Sequence, residues 1–160
     1  MASSLTYYLI KRKAEGKIKT IKYDNEGIYE GEIKDGKKHG YGIFKIRNVF
    51  LFEGQFKDDK RNGFGIEEYF QKYLYVGEFK DDKKNGHGII KYNNGDIYQG
   101  EYKDDEKNGY GIYKWKDGDI YEGEFKDNRR NGHGILKYNN GDIFEGEFKD
   151  DKKWSWYFKI

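Results

Sequence analysis

Three histidines are the side chains in this sequence best suited to acid–base chemistry or to metal binding. They are His39, His87 and His133, and the last two each stand in the context Asn-Gly-His-Gly. Equivalent positions two hairpin units apart would lie about 20 Å from each other at the usual strand spacing. Metal ligands must converge to about 2 Å from one point. We therefore expect strand histidines, no metal site and no bound cofactor.

Glutamates two residues apart are the second candidates for chemistry. The pairs are Glu30 and Glu32, Glu122 and Glu124, and Glu145 and Glu147. Two carboxylates on one face of a strand lie about 7 Å apart, a separation found in glycosidases. The pair recurs along the chain and marks no unique site. A solvated strand face, paired with lysine, is the better interpretation.

Other catalytic chemistry lacks the residues that it needs. The chain has no cysteine, and its only serines are Ser3, Ser4 and Ser155. The turns of the type Lys-Asp-Asp-Lys-Lys-Asn-Gly lack the alternating acidic ligands of a calcium-binding EF-hand loop. The Gly-x-Gly elements are not followed by a helix, as nucleotide-binding loops are. We predict that the protein is not an enzyme.

All of these residues belong to one internal repeat. Units start at residues 29, 52, 75, 98, 121 and 144, so each unit is 23 residues long without insertion or deletion. A regular period of this length is typical of an array in which every unit contacts its neighbours in the same way. Positions are numbered below from the first residue of each repeat.

Each repeat has the pattern of a β-hairpin. An alternating first strand, Tyr-x-Gly-x-Phe, is followed by an Asp/Asn-rich turn and a second strand with Gly-x-Gly. We expect the aromatic rings to cover glycines of adjacent strands and to form a thin core. The residues of this core at positions 1 and 3 are Tyr29, Gly31, Phe52, Gly54, Tyr75, Gly77, Tyr98, Gly100, Tyr121, Gly123, Phe144 and Gly146.

The predicted fold is all-β. It is an elongated single-layer antiparallel sheet of tandem hairpins, with about 12–14 strands at two per repeat, twisted and grooved like a solenoid. Residues 1–28 are predicted to form a degenerate N-terminal hairpin cap, with strands at Tyr7–Ile10 and Ile18–Tyr23. Residues 29–160 form the array, as 29–51, 52–74, 75–97, 98–120, 121–143 and a partial C-terminal cap at 144–160.

The pattern Tyr-x-Gly followed by His/Asn-Gly-x-Gly resembles the MORN (membrane occupation and recognition nexus) repeat family. The resemblance covers about residues 29–153 in six units. Two positions depart from the family pattern, since position 8 is glycine only at Gly36 and position 11 is histidine only at His39. The resemblance implies a binding scaffold in a cytoskeletal, ciliary or membrane-junction assembly, and it also implies a link to phosphoinositides.

Composition narrows the choice of partners. The formal net charge is +2, from 31 basic and 29 acidic residues, whereas a nucleic-acid-binding protein usually has a strong basic excess. The absence of cysteine favours a reducing compartment. The start of the chain lacks the layout of a signal peptide, and no stretch is apolar for about 20 residues. We expect an intracellular protein, cytoplasmic or associated with the cytoskeleton or a membrane.

Three places could bind a partner. Repeats 1 and 2 replace a polar turn with the aromatic residues Phe50, Phe70 and Tyr73, which are either partner contacts or local packing against the cap. The C-terminal residues Trp154, Trp156 and Phe158 could form a hydrophobic cap or a homodimer contact. The third is a basic ladder at position 10, which could bind anionic lipid headgroups or remain a solvated fringe. Its members are Lys38, Arg61, Lys84, Lys107, Arg130 and Lys153.

The predicted function is a non-catalytic scaffold for protein–protein interaction. The alternative is a peripheral binder of anionic phospholipid that uses the position-10 ladder.

Overall fold

The computed structural model describes residues 17–24 and 26–159, with side chains described as far as Trp154. Thirteen strands form one antiparallel sheet in which each strand neighbours the next in sequence. The strands are β1 Ile18–Lys22, β2 Gly27–Lys34, β3 Lys37–Ile46, β4 Phe50–Lys57, β5 Lys60–Tyr69, β6 Tyr73–Lys80, β7 Lys83–Tyr92, β8 Ile97–Lys103, β9 Glu106–Lys114, β10 Ile120–Lys126, β11 Arg129–Lys137, β12 Ile143–Lys149 and β13 Lys152–Lys159. The prediction of a single-layer, all-β array of hairpins is confirmed.

The chain divides into two compact units between Asp82 and Lys83. The N-terminal unit contains β1 to β6 and the C-terminal unit contains β7 to β13. The strand expected at Ile18–Tyr23 is β1, which pairs with β2. The strand expected at Tyr7–Ile10 lies outside the described residues.

Two-residue turns close the hairpins inside each repeat. In repeat 2, Lys57 pairs with Lys60, and the turn residues Asp58 and Asp59 have φ of 48° and 71°. Two consecutive residues with positive φ define a type I′ turn, whose twist matches that of the flanking strands. Asp and Asn tolerate this left-handed conformation better than most residues, which explains their recurrence at positions 7 and 8.

The position-1 rings form the core, and they lie flat over glycines. Tyr121 is fully buried, and its hydroxyl donates to the backbone oxygen of Glu124 at 3.0 Å. A Cβ atom added to Gly134 on the paired strand would lie 2.5 Å from the Tyr121 Cε2 atom. The expectation that rings cover glycines of adjacent strands is therefore confirmed. The other fully buried rings of this position are Tyr29, Phe52, Tyr75 and Tyr98, and Phe144 is 3% exposed.

Rings at position 5 complete this core edge to face. In the C-terminal unit, the Tyr98 ring contacts Tyr102 of its own repeat at 5.3 Å and Phe125 of the next repeat at 5.1 Å, both near perpendicular. In the N-terminal unit, Phe52 contacts Phe56 and Phe79 at 5.1 Å in the same way. Such contacts add roughly 0.5–1.5 kcal/mol each beyond area burial. A single sheet thus builds its core on one side, which we call the ring face.

Neighbouring repeats are also joined by a polar clamp at the turn. The Asp105 Oδ1 atom accepts the backbone N–H of Lys84 at 2.9 Å, and the Asp105 N–H donates to the Lys84 carbonyl at 3.0 Å. The same two bonds join positions 10 and 8 of other consecutive repeats. These pairs are Lys38 with Asp59, Arg61 with Asp82, Lys107 with Asn128, and Arg130 with Asp151. An Asp or Asn at position 8 therefore serves both the turn and the joint.

Candidate functional site

The position-10 cations lie over aromatic rings on the ring face. The Lys107 Nζ atom is 4.6 Å from the ring centre of Tyr113, 5.3 Å from that of Tyr98 and 5.8 Å from that of Tyr92. Burial lowers the pKa of Lys107, and Asp151 and Asp96 oppose this effect. Cations also lie over rings at Lys38, Arg61, Arg130 and Lys153, and Lys84 is buried. The ladder predicted from the sequence thus packs onto the core.

The position-9 cations are the exposed ones, and they pair with carboxylates. Lys83 Nζ lies 3.4 Å from Asp104 Oδ1, and Arg129 NH1 lies 3.5 Å from Asp150 Oδ1, with all four side chains more than half exposed. Lys60 and Asp81 form the same pair at 3.3 Å in the N-terminal unit. Exposed pairs of this kind contribute little to stability. Their carboxylates balance the positive charge along the turns.

A row of half-buried aromatic side chains at position 18 follows the second strands of the C-terminal unit. We call Tyr92, Trp115 and Tyr138 the tyrosine–tryptophan row. The rings of Trp115 and Tyr113 are 4.6 Å apart, and Lys153 Nζ donates to the Tyr138 hydroxyl at 2.7 Å. This row was not predicted from the sequence. An aromatic residue recurring every 23 residues at the end of a strand was the available signal.

Two polar groups of this row have no partner within the described part of the chain. Neither the Tyr92 hydroxyl nor the Trp115 indole N–H takes part in a hydrogen bond among those residues. Tyrosine and tryptophan combine a large apolar surface with a polar group that normally finds a partner when it is covered. The position-10 cation of the following repeat lies 5.0–5.8 Å from the centre of each of the three rings. The row therefore offers partly exposed ring surface flanked by these cations, together with two hydrogen-bonding groups.

Asp96 holds the turn beside this row. Its Oδ2 atom accepts the Tyr113 hydroxyl at 2.8 Å, and its Oδ1 atom accepts the backbone N–H of Lys116 at 3.0 Å. Burial alone would raise the pKa of Asp96, but the hydrogen bonds from Lys116, Tyr113 and Asn94 outweigh it and lower the pKa. Asp96 is 8% exposed, so an ionised carboxylate is buried in the turn next to Trp115.

The aromatic residues of the first two junctions differ from one another. Phe50 is buried and packs on Tyr69 at 4.8 Å, so its ring is part of the core. Phe70 is 42% exposed. Tyr73 is half-buried, and its hydroxyl donates to Glu67 Oε1 at 2.8 Å.

Glu67 is a buried carboxylate that was not predicted from the sequence. It is 2% exposed and pairs with the Arg61 guanidinium. Arg61 also contacts Asp82 Oδ1 at 3.2 Å. Repeat 2 thus has an ion pair where the equivalent positions hold Phe44, Ile90, Tyr113 and Leu136.

At the C-terminal end, Trp154 is 70% exposed and Lys149 Nζ lies 4.9 Å from its ring centre. Trp154 lines an open cleft of about 480 Å³ that also includes Lys126, Glu147 and Phe148. The side chains of Trp156 and Phe158 lie outside those that the structure describes.

The residues that the structure describes contain no group of three or more His, Asp or Glu side chains placed to hold a metal ion. Among the described residues, no helix is long and apolar enough to cross a membrane.

Comparison with known proteins agrees with this architecture. The MORN repeat family model matches residues 29–48, 52–70, 75–97, 98–120, 121–143 and 144–154. No curated protein matches the chain. Among solved structures, the chain is similar to the SAS-4 (dCPAP) TCP domain of Drosophila melanogaster, in complex with a proline-rich motif of Ana2 (dSTIL). The TM-score is 0.52 at 20% identity, covering 85% of this chain and 75% of that one.

That structural likeness shows a shared fold, whereas the family match covers segments of all six repeats. Its matched segments span most of the array, and they begin at the same residues as the repeats. The chain therefore belongs to the MORN repeat family.

Proposed function

We propose that this chain is a non-catalytic scaffold that binds a protein partner on the ring face of its C-terminal unit. The tyrosine–tryptophan row carries the proposal. Partly exposed Tyr and Trp side chains are the residues that most often supply binding energy at protein interfaces. We further propose an intracellular setting, in a cytoskeletal, ciliary or membrane-junction assembly.

Two observations support a protein partner. MORN repeats are binding modules and not a known enzyme family. The TCP domain of SAS-4, which shares the fold, was solved with a proline-rich motif of another protein. A partner seated on the row could accept a hydrogen bond from the Trp115 indole N–H while covering the ring faces.

A lipid-binding role through the position-10 ladder has less support. Lys107 and Arg130 lie over rings of the core, which limits how far their charges can reach toward headgroups. The exposed position-9 cations are paired with aspartates. Both arrangements reduce the positive potential that an anionic membrane would attract.

Affinity capture from the native source tests the proposal. The baits are the wild-type chain, a Tyr92→Ala/Trp115→Ala variant, and a Tyr110→Ala control whose ring is 52% exposed on the opposite face of the sheet. We expect specific partners with the wild type and the control, and their loss with the double variant. The same partners on all three baits would contradict the proposal. Salt-sensitive sedimentation with anionic liposomes would favour the lipid alternative.

For self-association we propose the exposed Trp154 as a contact, together with Trp156 and Phe158 of the same strand. Light scattering of a Trp154→Ala/Trp156→Ala variant tests this. A lower mass than that of the wild type is expected, and an unchanged mass would rule the contact out.

A further inference from the structure

The spacing of the tyrosine–tryptophan row restricts what can lie along it. Tyr92, Trp115 and Tyr138 occur once per repeat, and each repeat contributes two strands to the sheet. At about 4.8 Å between neighbouring strands, equivalent side chains recur about every 9.6 Å across the strands. A partner segment that contacts several of these rings in the same way must have a matching period.

Among the common backbone conformations, only the polyproline II helix has a turn whose length is close to about 9.6 Å. A polyproline II helix has three residues per turn and rises about 3.1 Å per residue, so it repeats about every 9.3 Å. An extended strand places side chains on one face about every 6.7 Å. An α-helix with a seven-residue pattern repeats about every 10.5 Å and loses register by about 1 Å per hairpin repeat.

The chemistry of the row fits the same conformation. A polyproline II segment has no internal hydrogen bonds, so its carbonyl oxygens are available as acceptors. The Trp115 indole N–H and the Tyr92 hydroxyl, which lack partners among the described residues, can donate to them. Proline rings pack on aromatic faces in known recognition grooves for such segments. Tyr92, Trp115 and Tyr138 provide these faces at successive repeats.

We infer that the tyrosine–tryptophan row binds a proline-rich segment of a partner protein in the polyproline II conformation, lying across the strands with one turn per repeat. This inference rests on the proposed function and specifies its partner. The sequence contains no proline, so the ligand is not a proline-rich segment of this chain itself.

Oligoproline peptides of four, seven and ten residues are suitable probes, because they offer one, two and three turns. The readout is the Trp115 indole N–H resonance of the ¹⁵N-labelled full chain, assigned with single tryptophan variants. We expect decaproline to shift this resonance, and affinity to rise at least fivefold from four to ten residues as successive rings are engaged. A Gly-Ser decapeptide is the matched control and should leave the resonance unchanged.

Variants separate the row from the rest of the sheet. Because variants at Trp115 lack the reporter resonance, decaproline affinity is compared among the variants by calorimetry. Trp115→Ala should lower this affinity at least tenfold, as for an interface hot spot, and Tyr110→Ala should not change it. Trp115→Phe keeps a ring but loses the donor, so it should have an intermediate affinity. Circular dichroism shows whether each variant is folded.

Three results would overturn the inference. They are an unchanged Trp115 resonance at millimolar decaproline, an equal shift with the Gly-Ser peptide, and full affinity in folded Trp115→Ala. If a captured partner is lost with Tyr92→Ala/Trp115→Ala while decaproline does not bind, the proposed function stands and the polyproline inference fails.

Discussion

The Tyr121 ring lies so close to the Gly134 backbone that any larger residue there would meet it. A Cβ atom at Gly134 would lie 2.5 Å from Tyr121 Cε2, and Tyr121 itself is fully buried. Gly134→Ala should therefore lower the free energy of unfolding by about 2–3 kcal/mol, the upper part of the range for overpacking a core. Urea denaturation followed by circular dichroism measures this change.

Gly141 is the matched control for that substitution. It has φ of +93° and no neighbouring atom within 4 Å of an added Cβ, so Gly141→Ala meets backbone strain without a clash. The expected loss is about 1 kcal/mol. If the two alanine variants are equally stable, the contact between the Tyr121 ring and an added Cβ atom at Gly134 has no measurable effect on stability.

The clamp between Asp105 and Lys84 can be separated from turn geometry by three substitutions. Asp105 has φ of 74°, and its carboxylate accepts the Lys84 N–H. Asp105→Asn keeps both features, as Asn128 does naturally, and should be neutral. Asp105→Gly loses the side-chain bond of the clamp, but glycine adopts the positive φ of the turn without strain. Asp105→Ala loses the same bond and is also strained at this φ, so it should lower the free energy of unfolding by about 1.5–2 kcal/mol. Thermal melts that rank glycine level with asparagine would argue against the clamp.

The buried pair of Arg61 and Glu67 should respond unequally to removal of its two members. Arg61→Leu leaves the 2% exposed Glu67 carboxylate without its cation, which costs about 3 kcal/mol or more. Glu67→Leu leaves Arg61 on Asp82, the arrangement that Arg130 has with Asp151 beside Leu136. We expect the free energy of unfolding to fall by only about 1 kcal/mol, because the Tyr73 hydroxyl loses the acceptor of its hydrogen bond. Equal losses in urea denaturation would contradict this assignment.

Asp96 should make stability depend on pH in the acidic range. Its pKa is lower in the folded chain than in the unfolded chain, so folding favours the ionised form. This contribution is complete above the ordinary aspartate pKa of about 3.9 and is lost as the pH falls through the folded value. The stability difference between wild type and Asp96→Asn should be on the order of 1–2 kcal/mol at pH 7 and smaller at pH 3.

Asp142 occupies the same repeat position as Asp96 with an exposed side chain, so Asp142→Asn is the control. Its effect at pH 7 should be smaller, since its carboxylate accepts Asn140 rather than a buried network. A difference between wild type and Asp96→Asn that grows at pH 3 would contradict the account of Asp96.

Local patterns were sufficient to predict the hairpins and the ring-covered glycines. Tyr98 and Gly100 alternate on one strand, and Gly111 recurs at a constant offset, so pairing and packing followed from the period. The position-8 clamp was missed because it joins residues 21 apart, such as Lys84 and Asp105, and a turn preference alone already explained an aspartate there.

The candidate site was harder to predict because it depends on which side chains share the ring face. Lys107 has the sequence context of a solvated lysine, yet it lies over Tyr113. Phe50 replaces a turn aspartate, which left partner contact and local packing equally open, and in the structure it packs on Tyr69. A bulge between Gly100 and Tyr102 changes the register within the hairpin and pairs Lys107 with Tyr102.

The most direct test of the proposed function is the dissociation constant of a captured partner for two single variants, measured by calorimetry. Trp115→Ala removes the centre of the tyrosine–tryptophan row, and Tyr110→Ala removes another large aromatic side chain, 52% exposed, from the opposite face. We predict that Trp115→Ala weakens binding about tenfold or more and that Tyr110→Ala changes it less than twofold. Weaker binding by Tyr110→Ala with full affinity in Trp115→Ala would show that the partner binds the opposite face.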